Sequence, residues 1–238
     1  MSTPAPQRTR IKICGLTREA DVHAAVAAGV DAIGFVLYAA SPRAVTPARA
    51  AALARLLPPF VTPVLLFVNH STEDAVAALA RVPGAWAQFH GDETAAHCMA
   101  VAHQSGRPFI RAARIDDSTA GEGLDLLEYA QHYSEAQALL LDAHVAGYGG
   151  GGKVFNWSLL PPNVDAHLVL SGGLDSANVG NGIALLRPRC RTLAIDVSSG
   201  VEADAPGGGT LKGIKDPAKI HQFVAAVRAA DHHLEGKH

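Results

Sequence analysis

Two apolar runs, each closed by a small Gly/Ser loop, carry the clearest chemistry in this chain. Leu168-Val169-Leu170 leads into Ser171-Gly172-Gly173-Leu174, and Leu193-Ala194-Ile195-Asp196-Val197 leads into Ser198-Ser199-Gly200. Glycine has no Cβ, so backbone N–H groups in such loops can close on an anion. Asp175-Ser176-Ala177-Asn178 follow the first loop and offer N-cap residues for a segment with Val179, Ile183, Leu185 and Leu186 at helical spacing. A helix start there adds partial positive charge. One such loop alone reads equally well as an ordinary strand-to-helix turn. Two in succession, late in the chain, read as a phosphate cup built from Gly172, Gly173, Ser198, Ser199 and Gly200.

The elements that must hold this cup alternate along the chain. Arg10–Cys14 is an expected strand; Thr17 is placed to cap a helix over Arg18–Ala28, which Gly29 ends. Strands follow at Asp31–Leu37, Val61–Val68, Ala85–His90, Pro108–Ala113 and Ala138–Asp142. Between them lie helices opened by Thr46-Pro47, by Ser71 or Thr72, by Asp92, and over Gly123–His132. The longest irregular segment runs from Ala143 to Lys153, with a short helical piece near Trp157–Leu160. After the cup strands, Asp216-Pro217 opens a last helix through Arg228. Roughly eight strand–helix units in strict alternation predict one α/β domain over residues 10–238, a (β/α)8 TIM barrel with a parallel sheet. Residues 1–9 read as a flexible leading segment.

Bulk composition excludes several function classes. The 238 residues are 48% hydrophobic and 18% charged, which is globular. A net charge of −2 gives no case for nucleic acid or a polybasic membrane contact. Cys14, Cys98 and Cys190 are far apart and odd in number, which argues for a reducing compartment and against a disulfide framework or zinc site. The first ten residues lack the apolar core of a signal peptide, and no apolar run spans a bilayer. A cytoplasmic protein is expected.

Parallel barrels place function on the loops after their strands. Those ends offer Cys14, Arg43 a loop away, Asn69, Gln88 with His90, Arg111 or Arg114, Asp142, the cup glycines, and Asp196. A thiol, cations and two carboxylates over an anion cup imply acid–base chemistry on a small phosphorylated molecule. Side chains alternate along a strand, so if Cys14 faces the barrel interior, Lys12 does too. A buried lysine needs a carboxylate partner, and Asp196 is the expected one.

Several segments match one family in order: Lys12-Ile13-Cys14-Gly15-Leu16-Thr17, Asp31-Ala32-Ile33-Gly34-Phe35, Gln88-Phe89-His90-Gly91, Leu141-Asp142, Tyr148 to Lys153 with Phe155-Asn156-Trp157, Leu170 to Leu174, and Asp196 to Glu202. The chain resembles the phosphoribosylanthranilate isomerases of tryptophan biosynthesis from Arg10 to Arg228. It departs from them at Gly151, where the family usually carries Thr or Ser, and at an insertion-like stretch from Ala203 to Lys212.

The resemblance implies an Amadori rearrangement of an aminoaldose phosphate, with Asp142 as general acid and Cys14 as general base. It implies Arg43 as the clamp on the substrate's carboxylate, a role suited to a guanidinium fork. Gln88 and His90 are read as shaping the pocket, and Asp196 as a neighbour of the acid or a ligand of a substrate hydroxyl. No metal and no organic cofactor is expected, because the substrate nitrogen is the electron sink. The partner is a small phosphosugar, with the protein a monomer or homodimer.

Bland readings stand beside these. Cys98 and Cys190 read as small packing residues. His221, His232, His233 and His238 suggest a metal cluster by count but lack ligand spacing, and read as a helix end and tail. Two rival functions are the related isomerase of histidine biosynthesis, alone or combined with this one, and a phosphosugar-binding barrel without chemistry. The first typically pairs two aspartates, which Cys14 argues against; the second would lack the Cys14/Asp142 pair.

Overall fold

In a computed structural model, which describes residues 8–115, 125–143 and 160–235, the chain forms a closed parallel barrel of eight strands. These are β1 (Arg10–Cys14), β2 (Ala32–Val36), β3 (Thr62–Phe67), β4 (Trp86–Phe89), β5 (Phe109–Ile115), β6 (Ala138–Ala143), β7 (Val164–Leu170) and β8 (Cys190–Val197). Closure comes from β8 pairing with β1, where Lys12 stands beside Asp196 and Ile13 beside Val197. Helices α1 (Glu19–Ala27), α2 (Pro47–Ala54), α3 (Thr72–Arg81), α4 (Ala95–Ser105), α5 (Leu126–His132), α6 (Val179–Leu186) and α7 (Pro217–Glu235) cover the outside. The segment expected to be irregular after Asp142, and most of the short helix near Trp157, lie outside the described residues.

The two-residue period of the strands sorts side chains into separate cores. Outward residues such as Ile11, Ile13, Ile33, Phe35, Leu65, Phe67, Leu141 and Ile195 pack under the helices in one large cluster. Inside the barrel, Cys14, Val36, Leu66 and Val68 form one small cluster, and Ile110, Ala112, Leu140 and Val169 form another. Burial of the outward set is the main drive for closure, at roughly 25 cal/mol per Å² of apolar surface.

Three capping expectations hold and three are corrected. Thr46 and Ser71 accept from Arg49 N and Asp74 N, and Asp216 accepts from Ala218 N. Thr17 does not cap α1: its hydroxyl donates to Gly213 O at 2.7 Å, and Arg18 occupies the N-cap without a side-chain bond. Thr94, not Asp92, caps α4, because Asp92 is bound to the Asn69 side chain through its backbone N–H. Asn178 is the N-cap of α6 without a side-chain bond to it; its amide instead ties Asp175 N to Gly173 O. The last helix runs past Arg228 to Glu235, so His232 and His233 lie in its final turn. The stretch after Glu202 is an antiparallel hairpin, β9 (Glu202–Asp204) and β10 (Thr210–Lys215), and the helix still starts at Pro217.

The leading segment is tied down earlier than expected. Thr9 is buried, its N–H and hydroxyl donating to Asp231 at 3.0 and 2.6 Å while Arg228 donates to its carbonyl. At the opposite end of the barrel from the cup, strand starts surround a cavity of about 490 Å³ lined by Trp86, Ile110, Ala138, Val169 and Ala194. Phe60 lines it too, fully exposed and with φ +72°. Among the described residues, no helix is long and apolar enough to cross a membrane.

Candidate active site

Cys14 ends β1 and is 5% exposed. Its side chain belongs to the inner cluster, and that of Lys12, two residues earlier, points to the same barrel interior by strand alternation. Lys12 Nζ lies 2.9 Å from Asp196 Oδ1, and both side chains are buried, so the expected pair is present. Space for sulfur and ammonium is provided by the neighbouring strand. Cys14 pairs with Gly34 in β2, and a Cβ there would stand 2.6 Å from Cys14 Sγ and 3.0 Å from Lys12 Nζ. Gly34 is not among the site residues expected from sequence; the signal it offers is a glycine inside a strand, which often marks a close approach.

These neighbours set the proton affinities. Burial raises the Cys14 thiol above its ordinary value, against the opposing pull of the Lys12 and Lys215 cations. Burial disfavours the Lys12 charge, but Asp196 and the Cys14 anion outweigh it and raise Lys12. The sulfur therefore sits beside the buried Lys12–Asp196 ion pair with its proton affinity raised.

Across the mouth, Asp142 on β6 joins a polar chain. Its Oδ2 is 2.9 Å from His90 Nε2, and His90 Nδ1 is 3.1 Å from Gln88 Nε2, all three side chains being buried. Gln88 Oε1 is buried and finds no partner among the described residues. His90 therefore bridges Asp142 and Gln88 in one buried hydrogen-bonded chain.

Arg43 is not a solvated loop charge. It is 6% exposed and forks onto Glu202 through Nε at 2.7 Å and Nη2 at 2.9 Å. Glu202 also accepts from Gly213 N at 2.8 Å and lies 3.5 Å from Lys215 Nζ. Burial alone would raise this carboxyl; Arg43, Lys215 and the Gly213 amide outweigh it and hold it at about 2. Lys215, fully buried, is lowered to about 8 by burial and by Arg43, against the pull of Glu202. Neither Glu202 nor Lys215 was assigned from sequence. Glu202 stands two residues after the cup, a weak signal, and Lys215 lies in a hairpin that sequence did not show.

The cup loops meet at the ends of β7 and β8. Gly172 and Gly173 have φ of +81° and +61°, and Ser199–Val201 is a single 3₁₀ turn. A Cβ on Gly200 would collide with the Leu174 carbonyl oxygen, so the second loop packs directly on the first. Ser198 Oγ donates to Cys14 O at 3.0 Å, which joins the cup to the thiol strand.

Other strand-end residues are structural. Arg111 points outward, donating to Phe89 O at 2.9 Å and Gly91 O at 3.1 Å with its guanidinium over the Tyr133 ring. Asn69 accepts from Asp92 N, and Arg114 pairs with Asp92. Burial pushes Cys98 up to about 12 and Cys190 up to about 11, in keeping with packing roles. Among the described residues no cluster of His, Cys, Asp or Glu could hold a metal ion.

Fold and site together define a (β/α)8 barrel enzyme with its titratable groups gathered at the C-terminal mouth. A family profile for N-(5′-phosphoribosyl)anthranilate (PRA) isomerase matches residues 11–226, and the chain belongs to that family of isomerases. It is 61% identical to the N-(5′-phosphoribosyl)anthranilate isomerase of Methylibium petroleiphilum over 224 residues, covering 94% of this chain and 96% of that one. A solved phosphoribosyl anthranilate isomerase in complex with reduced 1-(o-carboxyphenylamino)-1-deoxyribulose 5-phosphate matches with TM-score 0.75 and 34% identity, over 93% of this chain and 99% of that chain. A solved structure of generated monomers of the dimeric phosphoribosylanthranilate isomerase from Thermotoga maritima matches with TM-score 0.73 and 32% identity, over 92% and 98% of the two chains.

Proposed function

We propose that this protein converts N-(5-phosphoribosyl)anthranilate to 1-(2-carboxyphenylamino)-1-deoxyribulose 5-phosphate, a step of tryptophan biosynthesis, with Asp142 as acid and Cys14 as base. The observation carrying this reading is positional: Cys14 ends β1 and Asp142 stands one residue before the end of β6 in one closed barrel, at the same mouth as the two Gly/Ser loops. Asp142 protonates the ring oxygen as the C1′–O bond breaks, and the anthranilate nitrogen's lone pair forms the C1′=N⁺ bond. Cys14 then removes the C2′ proton; that C–H pair becomes the C1′=C2′ bond, and the iminium pair returns to nitrogen. Loss of the 2′-hydroxyl proton and protonation at C1′ give the ketone, so the net change is an isomerisation.

A raised thiol is a poor resting base, and the substrate itself supplies the remedy. The iminium brings positive charge next to the sulfur and adds to that of Lys12, so that once the ring has opened the thiol releases its proton to solvent and the thiolate is the base that takes the C2′ proton. Arg43 is assigned to the anthranilate carboxylate. Its Nε and Nη2 are held by Glu202, leaving the Nη1 edge for that contact. Asp196 is assigned to a substrate hydroxyl and to holding Lys12. Gln88 and His90 hold Asp142, and Gly172, Gly173, Ser199 and Gly200 take the 5′-phosphate. Ser198 joins the cup as its link to β1, its hydroxyl being engaged by Cys14 O. Activity on N-(5-phosphoribosyl)anthranilate, lost in Cys14→Ala and in Asp142→Asn, tests the assignment; an active double variant sinks it. The same preparations assayed on the histidine-pathway aminoaldose test for a second activity.

Of the two assembly states left open by sequence, the homodimer is favoured. Phe60 projects from the face that also carries the cavity at the strand starts, a knob and a hole on one surface as a two-fold interface requires. A cytoplasmic location belongs to the same reading, because a base thiol must stay reduced.

A further inference from the structure

We propose that Lys215 is a positioning residue for this isomerisation, coupling the anion cup to the thiol and presenting a second ammonium to it; this rests on the reading of Cys14 as the base. Lys215 ends β10, in the hairpin that separates β8 from the last helix. Its Nζ donates to Ser198 O at 2.8 Å and approaches Ser198 Oγ at 3.3 Å. That hydroxyl donates in turn to Cys14 O at 3.0 Å. One buried ammonium therefore holds the residue that begins the second cup loop, and through it the backbone of the residue bearing the sulfur.

The surroundings of Lys215 argue against a merely packed role. Its backbone is pinned on both sides, with its N–H donating to Asp21 Oδ2 at 3.3 Å and its carbonyl accepting from Arg18 Nη2 at 3.4 Å. Glu202, the carboxylate beside it, is already forked by Arg43, so Lys215 is not needed to neutralise that group. A fully buried ammonium is costly, and a methionine would fill the same space without that cost. What the charge adds is direction. It faces Ser198 and contributes, with Lys12, the positive potential that opposes burial at Cys14.

The charged groups whose fields act on the sulfur are Lys12 on β1, Asp196 on β8 and Lys215 on β10; those acting on Lys215 include Glu202 on β9, 3.5 Å from its Nζ, and Arg43 after β2. The test uses the full chain with Cys98→Ala and Cys190→Ala, so that only Cys14 reacts. Iodoacetamide labelling against pH reads the thiol, and steady-state assays read kcat and KM. Lys215→Met is expected to move Cys14 labelling to higher pH by about one unit and to lower kcat about ten-fold or more. Lys215→Arg should keep the labelling profile near that of the parent. If Lys215→Met does not fold, Lys215→Gln against Lys215→Arg decides the same question. An unchanged Cys14 profile in the charge-removing variant overturns the proposal. Cys14→Ser retaining activity, with the Lys215 variants still shifting Cys14 labelling, would instead overturn the base assignment.

Discussion

Gly34 and Cys14 occupy paired positions on adjacent strands, and a Cβ on Gly34 would stand only 2.6 Å from the sulfur. Its backbone φ is unexceptional, so the requirement is for space and not for an unusual conformation. Gly34→Ala is expected to push the sulfur and the Lys12 ammonium out of register, lowering kcat at least ten-fold while costing about 1–3 kcal/mol of stability. Kinetics with thermal unfolding check this, and full activity would show that the site tolerates a Cβ there.

His90 bears on Asp142 through one hydrogen bond and on Gln88 through another. His90→Ala should lower kcat about 100-fold with KM changed much less, since the acid loses its orientation and not its substrate. Gln88→Ala should have a smaller effect in the same direction. A KM-dominated loss in the His90 variant would assign it to binding instead.

Gly200 lets the two cup loops touch. Gly200→Ala forces the Ser199–Val201 turn away from Leu174. KM for the phosphorylated substrate should rise more than ten-fold, and protection of the protein by inorganic phosphate against thermal unfolding should disappear. An unchanged KM would remove these loops from the phosphate site.

Glu202 should make stability fall in acid. Its folded pKa of about 2 lies below the ordinary 4.5, so its contribution is complete above pH 4.5 and is lost as pH falls from there toward 2. The full contribution is about 3 kcal/mol. Glu202→Gln should remove that component of the acid dependence and leave Arg43 and Lys215 without their anion, at a cost of about 3–5 kcal/mol near neutrality. Urea unfolding at several pH values would expose an unaltered slope between pH 4.5 and 2.

Phe60 has no stabilising role within its own chain, being fully exposed with a left-handed backbone. Phe60→Asp should shift sedimentation from dimer to monomer without slowing catalysis at the opposite mouth. A parent protein that sediments as a monomer at micromolar concentration would refute the dimer.

Periodicity and punctuation determined most of the architecture. The alternation of apolar runs with capped helical segments was enough for an eight-strand barrel, because strand and helix periods are local properties. The same two-residue rule placed Lys12 beside Cys14 on one face, and the cost of a buried charge pointed to Asp196. What folding alone decided were contacts between residues distant in sequence. Arg43 meets Glu202 because the loop after β2 and the hairpin after β8 converge at the closure of the barrel. Thr17 abandons its cap for Gly213, Lys215 reaches Ser198, and Gly34 yields its space to a sulfur on the next strand. Those choices depend on strand register and on a hairpin whose Gly-rich sequence resembles a loop, and neither is encoded within one window of the chain.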